Sequence, residues 1–402
     1  MAAPPVLKPP RATLEPGEWL RKNLLSPWYN ALLTILGLWI LYEAGRGIVL
    51  WAWTQARWEV ITHNLRLFMV GQYPPDQIWR LWLGLVLFSG LFGLSGGLWG
   101  GTIRQFGGAL GLTFLFLALL PAAGTTRGWL LGNLAALLVG YGAGRSAQKT
   151  PRSKRTAGYA ALVGWPLGLI SFIVLLSGFS GSSGLPRVET GLWGGLLLTF
   201  LLSLVSIVLS FPLGVLLALG RRSTLPIVHL FSVLYIELIR GVPLVTVLFM
   251  ADIMLPLFLP EGLRVDRVMR AMAGFTLFSA AYIAENVRGG LQAIPEGQIE
   301  AARALGLNGF QTTFLIVLPQ ALRLVIPANV GQFISLFKDT SLVAIMGLLE
   351  LLGIGKAVLA NPAYMGLQRE VYVFVALIYG IFSYAMSYAS RRLEIALGIG
   401  ER

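Results

Sequence analysis

Residues 190–220 read TGLWGGLLLTFLLSLVSIVLSFPLGVLLALG, with no Asp, Glu, Lys or Arg. A helix needs roughly 20 such residues to cross the ~30 Å hydrocarbon core of a bilayer. Residues 156–186 form a second charge-free run. The whole 402-residue chain is 56% hydrophobic and 12% charged. That charge is about half of what a soluble domain carries, and the mean hydropathy is +0.73. The fold class that follows is an all-α polytopic membrane protein. A β-barrel would show alternating segments of about 10 residues instead, and the sequence has none.

Outward from that run, ten transmembrane helices are expected. An N-terminal set covers 28–53, 81–103, 105–126, 128–144 and 158–178. A second set covers 190–219, 241–260, 268–289, 319–337 and 371–391. Three regions result: a tail 1–27, a transmembrane extension 28–180 and a core 190–395. The tail holds Pro4, Pro5, Pro9 and Pro10 and lacks the apolar core and cleavage site of a signal peptide. Residues 54–80 read as a polar connection. Residues 223–260 are too long for one straight crossing, and Arg240-Gly241-Val242-Pro243 supplies a break. Residues 341–355 are too short to cross and read as a broken, re-entrant segment.

Net charge is +13. The cations gather in loops: Arg145 to Arg155, Arg221-Arg222 and Arg391-Arg392. Such clusters mark cytoplasmic loops, so they indicate orientation and not nucleic-acid binding. With ten crossings, all three clusters and both termini fall on the cytoplasmic side of the membrane. The chain has no cysteine, which excludes disulfides and thiolate metal sites. His63 and His229 are isolated, so no metal site is expected.

The cytoplasmic loop 291–319 carries Glu300, Ala301, Ala302, Gly306, Ile316, Leu318 and Pro319, in the pattern EAA-x3-G-x9-I-x-LP. Pro295-Glu296 suits a first helical turn, and Gly306 suits a C-terminal cap. The short helix between them presents small side chains that let another protein approach closely. This pattern resembles the coupling loop of ABC importer permeases. Tyr235 to Leu244 (YIELIRGVPL), Ala281 to Pro295 and Phe337-Lys338-Asp339-Thr340-Ser341-Leu342 are similar to segments of the polar amino-acid branch. The Trp-rich extension is similar to that of the larger permease of general L-amino-acid importers. The resemblance implies a type I ABC importer permease core that moves polar L-amino acids inward by alternating access. It implies as partners an ATP-binding subunit dimer carrying ATP and Mg, a second homologous permease, and a periplasmic or lipid-anchored amino-acid-binding protein. Membrane lipid surrounds the assembly.

This chain itself is not expected to hydrolyse ATP or to bind a cofactor. Gly355-Lys356 looks like the end of a P-loop, but Glu350 stands where glycine is needed and Ala357 follows the lysine. Candidate path or gate residues are Thr199, Ser203, Glu237, Arg240, Glu285, Lys338, Asp339 and Thr340, because intramembrane charges and hydroxyls mark translocation routes. The plainer alternative is mutual pairing: Glu237 with Arg240, Lys338 with Asp339, Glu285 with Arg288, and hydroxyls bonded back to their own helix. Other functions stay open: an ion-coupled secondary transporter, a regulatory membrane scaffold, or an ABC permease for another small polar solute.

Overall fold

The computed structural model describes residues 16–181, 184–260, 264–396 and 398. Pro4, Pro5, Pro9 and Pro10 of the expected N-terminal tail lie outside the described residues. Among the described residues every regular element is helical, and β pairing is confined to isolated bridges. The chain divides into two compact units after Glu59.

The first unit is dominated by α1 (Trp28–Thr54). It is apolar all round, as suits a span surrounded by lipid or protein. Glu43 and Arg46, which interrupt its apolar sequence, form an ion pair of 3.7 Å.

The second unit begins with α2 (Glu59–Val70), which buries Val60, Ile61 and Phe68. The expectation of a plain polar connection over 54–80 is corrected here. Apolar residues at helical spacing sit among the charges and dock that face inward. Then come α3 (Trp79–Trp99), α4 (Gly101–Leu119), α5 (Arg127–Ala147) and α6 (Pro151–Ser177). Gly100, at φ +63°, separates α3 from α4, and Pro121 follows soon after α4 ends.

The remaining elements are α7 (Gly195–Arg221), α8 (Pro226–Arg240), α9 (Leu244–Ile253), α10 (Arg267–Gln292), α11 (Glu296–Ala304), α12 (Leu318–Asp339), α13 (Leu351–Leu359) and α14 (Gln368–Ala396). The break at Arg240–Pro243 is present: α8 and α9 meet at 105°. The crossing expected over 241–260 is not one continuous helix. At 1.5 Å per residue α9 reaches only about 15 Å, and Leu255–Phe258 forms a separate turn.

Among the described residues seven helices are long and apolar enough to cross a membrane, or eight if α8 and α9 form one bent span. Two more of the ten expected crossings fall on α5 and α10, which have 21 and 26 residues but are more polar and do not meet that standard. Neighbours explain this. Asn133 of α5 accepts from Ser89 of α3 at 2.9 Å, and α10 buries Thr276 and Ser279 in the helix core. A helix shielded by other helices does not need an apolar surface all round.

Two packing modes hold the second unit together. In the first, α3 and α5 run in parallel with bare backbones in contact. A Cβ on Gly93 would lie 2.1 Å from the Leu137 carbonyl oxygen, and one on Gly140 2.2 Å from that of Gly90. Of the glycine pairs in the sequence, 93/97 and 140/144 face each other, while Gly107, Gly128 and Gly132 meet nothing within 4 Å. Close approach of this kind is how small residues associate helices in lipid. In the second, α7, α10 and α12 interlock side chains such as Leu217, Ile283, Val287, Ala321 and Val325.

The ends of the bundle differ in chemistry. At one end Tyr73 and the fully buried Arg80 donate to carbonyls at the C-terminus of α6: Tyr73 Oη to Leu176 O at 3.0 Å, and Arg80 to Leu175 O at 3.3 Å. Arg80 Nη2 also reaches Pro186 O at 2.9 Å. A cation belongs at a helix C-terminus, where unpaired carbonyls accumulate negative partial charge. The start of α7 joins this end through the Gly71–Trp193 bridge. The C-termini of α3, α5, α7 and α10 therefore share the opposite end. Tyr388 of α14 touches Phe106 of α4 there, with ring centroids 5.8 Å apart. The three basic clusters consequently fall at one end of the bundle.

Candidate functional site

The loop after α10 is built as a rigid, exposed helix. Pro295 precedes its first turn, and Leu305 closes it. Gly306 stands at φ +77°. Its N–H donates to Arg303 O at 2.9 Å, and the Leu307 N–H donates to Ala302 O at 3.1 Å. This is the Schellman arrangement, which needs a left-handed residue and hence favours glycine. Asn308 then opens the next turn with a capping box to Gln311. A π-helical turn, Thr312–Val317, leads into α12.

On this loop Glu300, Ala301, Gly306 and Pro319 are exposed, Ile316 is half-buried, and Leu318 is buried. Ala302 is only 3% exposed. The expectation that all the small residues of α11 face outward is corrected for Ala302, which turns inward on the same side as Ile299 while Ala301 and Ala304 remain outside. Leu305 is 82% and Phe310 70% exposed. Large apolar groups left bare on a loop mark a contact surface.

Beside the loop, charges link three helices. Glu285 of α10 is engaged by three arginines. Arg221 Nη1 of α7 lies 2.8 Å from Oε1, and Arg288 Nη2 2.9 Å and Arg240 Nη1 of α8 3.5 Å from Oε2. Arg221 also reaches Glu237 at 2.9 Å. Arg240 rests over the Tyr282 ring. Local pairing of Glu237 with Arg240 is therefore not what forms. Each takes a partner on another helix, because the C-terminal ends of α7 and α10 meet here. Arg288 does cap Glu285, as spacing of i,i+3 allows.

At the far end a hydroxyl–carboxylate network joins α7, α13 and α14. The buried Glu350 carboxylate accepts from the Leu352 N–H at 2.8 Å, the Gly353 N–H at 2.7 Å and Tyr379 Oη at 2.7 Å. It thereby caps α13, outside the spanning segments. Burial pushes the Glu350 carboxyl above its usual range, against the pull of those donors and of Lys356. Thr199 Oγ1 accepts from the Leu351 N–H at 3.2 Å, and Thr340 Oγ1 lies 3.4 Å from Tyr379 Oη. Tyr73, nearby, is likewise pushed up by burial, with Arg80 opposing.

The candidate path residues thus separate. Ser203 donates back to Thr199 O at 2.9 Å, Thr199 to Gly195 O at 3.2 Å and Thr340 to Phe337 O at 2.7 Å. Glu237, Arg240 and Glu285 are held in ion pairs. Lys338 and Asp339 are adjacent in α12, yet no ion pair or side-chain hydrogen bond is seen for either among the described residues. The two do not come within ion-pair distance of each other. The sequence reading left out Arg221 and Tyr379 as site residues, and it used Glu350 only to dismiss a P-loop. A charged residue at the end of an apolar run was the available signal for Arg221. Nothing local marks Tyr379. Among the described residues no group of three His, Asp or Glu side chains could hold a metal.

Comparison with known proteins adds the following. The family described as "Binding-protein-dependent transport system inner membrane component" matches residues 210–395. Over 397 residues the chain is 40% identical to the inner membrane amino-acid ABC transporter permease protein YhdY of Escherichia coli (strain K12), covering 95% of this chain and 93% of that protein. It is 38% identical over 430 residues to the glutamate/glutamine/aspartate/asparagine transport system permease protein BztC of Rhodobacter capsulatus, covering 94% and 92%. A crystal structure of an amino acid ABC transporter with histidines is 28% identical, with a TM-score of 0.45, over 50% of this chain and 92% of that one.

Proposed function

The chain belongs to the family of binding-protein-dependent transport system inner membrane components, and on that premise we propose that it is the permease subunit through which an ATP-driven importer moves polar L-amino acids into a bacterial cytoplasm. The observation that carries this reading is the capped, exposed helix α11 with bare Leu305 and Phe310 beside it. It is a rigid knob at the end of the bundle that holds the basic clusters, and it is suited to a groove on an ATPase. In this reading Glu300, Ala301, Ala302, Gly306, Ile316, Leu318 and Pro319 form the coupling loop, with Ala302 and Leu318 as its inner supports. ATP and Mg act on the partner ATPase dimer. A second homologous permease completes the path, and an amino-acid-binding protein delivers substrate at the end that holds Glu350. The end with the basic clusters, and both chain termini, face the cytoplasm. Residues 28–180 are an accessory extension, and 190–395 the transport core.

Two charge sets divide the work. Glu285, with Arg221, Arg240, Arg288 and Glu237, forms a clasp that opens and closes the cytoplasmic side. Lys338 and Asp339 have unspent charges of both signs, and a zwitterion needs a cation for its carboxylate and an acceptor for its ammonium group. They contact substrate. Thr199, Ser203 and Thr340 shape the path by fixing backbone instead of binding. Relatives named for glutamate, glutamine, aspartate and asparagine transport support polar side chains as the cargo.

The test is ATP hydrolysis by the complex co-purified on this chain, in nanodiscs, with its binding protein and a panel of amino acids. Stimulation by polar amino acids is expected. An ATPase that co-purifies but responds to no amino acid removes the cargo assignment, and absence of any ATPase under gentle conditions removes the permease assignment.

A further inference from the structure

At the end of the bundle that holds the basic clusters, the N-terminal extension contains a groove lined by none of the candidate path or coupling residues. Its walls are the last residues of α3, Leu98 and Trp99, and the first turns of α6, with Lys154, Arg155, Tyr159 and Leu162. It is an open groove of about 410 Å³. Gln148 fixes one wall by donating to the Gly97 and Leu98 carbonyls, each at 2.8 Å. The groove is therefore built by the meeting of two helices and a tied loop.

Its charge is uncompensated. From residue 77 to residue 188 the chain has no Asp or Glu, while Arg145, Lys149, Arg152, Lys154 and Arg155 crowd within eleven positions. Among the described residues none of these five enters an ion pair, and Arg155 only rests over the Tyr159 ring, 5.7 Å from its centroid. Below the cations the surface turns apolar. Leu162 and Ile170 on α6 are exposed, although this helix has the length and hydropathy of a span. Along α6 Tyr159 lies between Arg155 and Leu162, and Trp99 lines the same groove; amphipathic rings settle at a membrane interface. Cations above, rings at the boundary and aliphatic side chains below match a lipid that has a phosphate and a net negative charge. An acidic protein surface would leave the apolar lower part unfilled.

We propose that this groove is a binding site for an anionic phospholipid, with the phosphate held by Lys154 and Arg155 and an acyl chain lying along Leu162. Each cation near an anionic headgroup strengthens binding several-fold. The site is independent of the transport reading, because it involves none of the core residues.

The purified full-length complex in detergent is titrated with phosphatidylglycerol and with phosphatidylcholine of the same chains, and bound lipid per copy is counted by native mass spectrometry. Saturable binding of phosphatidylglycerol over phosphatidylcholine is expected. Lys154→Gln with Arg155→Gln is expected to weaken it about 30-fold, while Arg187→Gln, at the opposite end, leaves it unchanged. Gly158→Leu offers a second route that leaves the charges in place. A Cβ there meets nothing within 4 Å, so the fold tolerates it while the side chain fills the groove, and binding is expected to be lost. Equal affinity for the two lipids overturns the proposal, as does wild-type binding by both variants. Full displacement of the lipid by equimolar inorganic phosphate would show an anion site only and also overturns it. Loss of the co-purified ATPase from the double variant with lipid binding intact would assign the cations to a protein partner instead.

Discussion

The contact of α3 with α5 and the contact of α7 with α8 and α10 solve the same problem differently. In the first, glycines bring two backbones into direct contact. In the second, Glu285 is shared by Arg221, Arg240 and Arg288, and the alternative local partner of Glu237, Arg240, sits one helical turn away. A glycine seam has one arrangement, whereas a charge clasp can exchange partners. The extension is thereby suited to staying fixed and the core to changing shape.

The largest expected effect lies in the seam. Gly140→Leu places a side chain where even a Cβ would be 2.2 Å from a carbonyl oxygen, so the helices must separate. Loss of monodisperse protein in size-exclusion chromatography is expected. Gly128→Leu, in open space, should remain monodisperse, and similar behaviour of the two variants would remove the distinction between the glycine pairs. Next is Glu285→Ala. It leaves three arginines around a site where the Glu285 side chain is 15% exposed, and removing one partner of a partly buried ion pair costs about 2 kcal/mol, between the exposed and the buried cases. Glu237→Ala, whose side chain is 55% exposed, should cost under about 1 kcal/mol. Denaturation in matched detergent measures both, and equal losses would show that the clasp is not centred on Glu285.

Smaller effects are expected in the coupling loop. Gly306→Ala forces a Cβ into the left-handed region at a cost of about 1 kcal/mol. Glu300→Ala, on an exposed face, should change stability by less than about 0.5 kcal/mol and yet raise the ATP hydrolysed per amino acid transported. A Glu300→Ala variant with wild-type coupling would limit the functional contrast to the seam and the clasp.

Much of this contrast was legible in the chain itself. Apolar length located the seven long apolar helices among the described residues, and Gly306 and Pro295 marked the ends of α11. Arg240–Pro243 marked the bend between α8 and α9. What was not legible depended on three-dimensional neighbours. The GxxxG pairs 93/97, 107/111, 128/132 and 140/144 look alike in sequence, and only the packing shows that 93/97 faces 140/144. The i,i+3 spacing of Glu237 and Arg240 suggests a local pair, but Arg221 from another helix takes the glutamate. Arg80 lies at the start of an apolar run and carries no sign that carbonyls nearly a hundred residues later will satisfy it. Tyr379 is one tyrosine among several in α14 until Glu350 is placed beside it.

One crossing in the structure bears on how such permeases could be recombined. A Cβ on Gly71 would sit 2.4 Å from the Gly194 Cα, and one on Gly195, at φ +59°, would sit 2.3 Å from the Phe68 carbonyl oxygen. The stretch before the extension's paired helices and the first residues of the core are thus fitted to each other as bare main chain. A chimera that grafts this extension onto a core with larger residues at 194 and 195 would be obstructed at the join, even if every helix on either side were intact. Glycines at 71, 194 and 195 act as a compatibility key, so the two halves of the chain are expected to be inherited and engineered as a matched set.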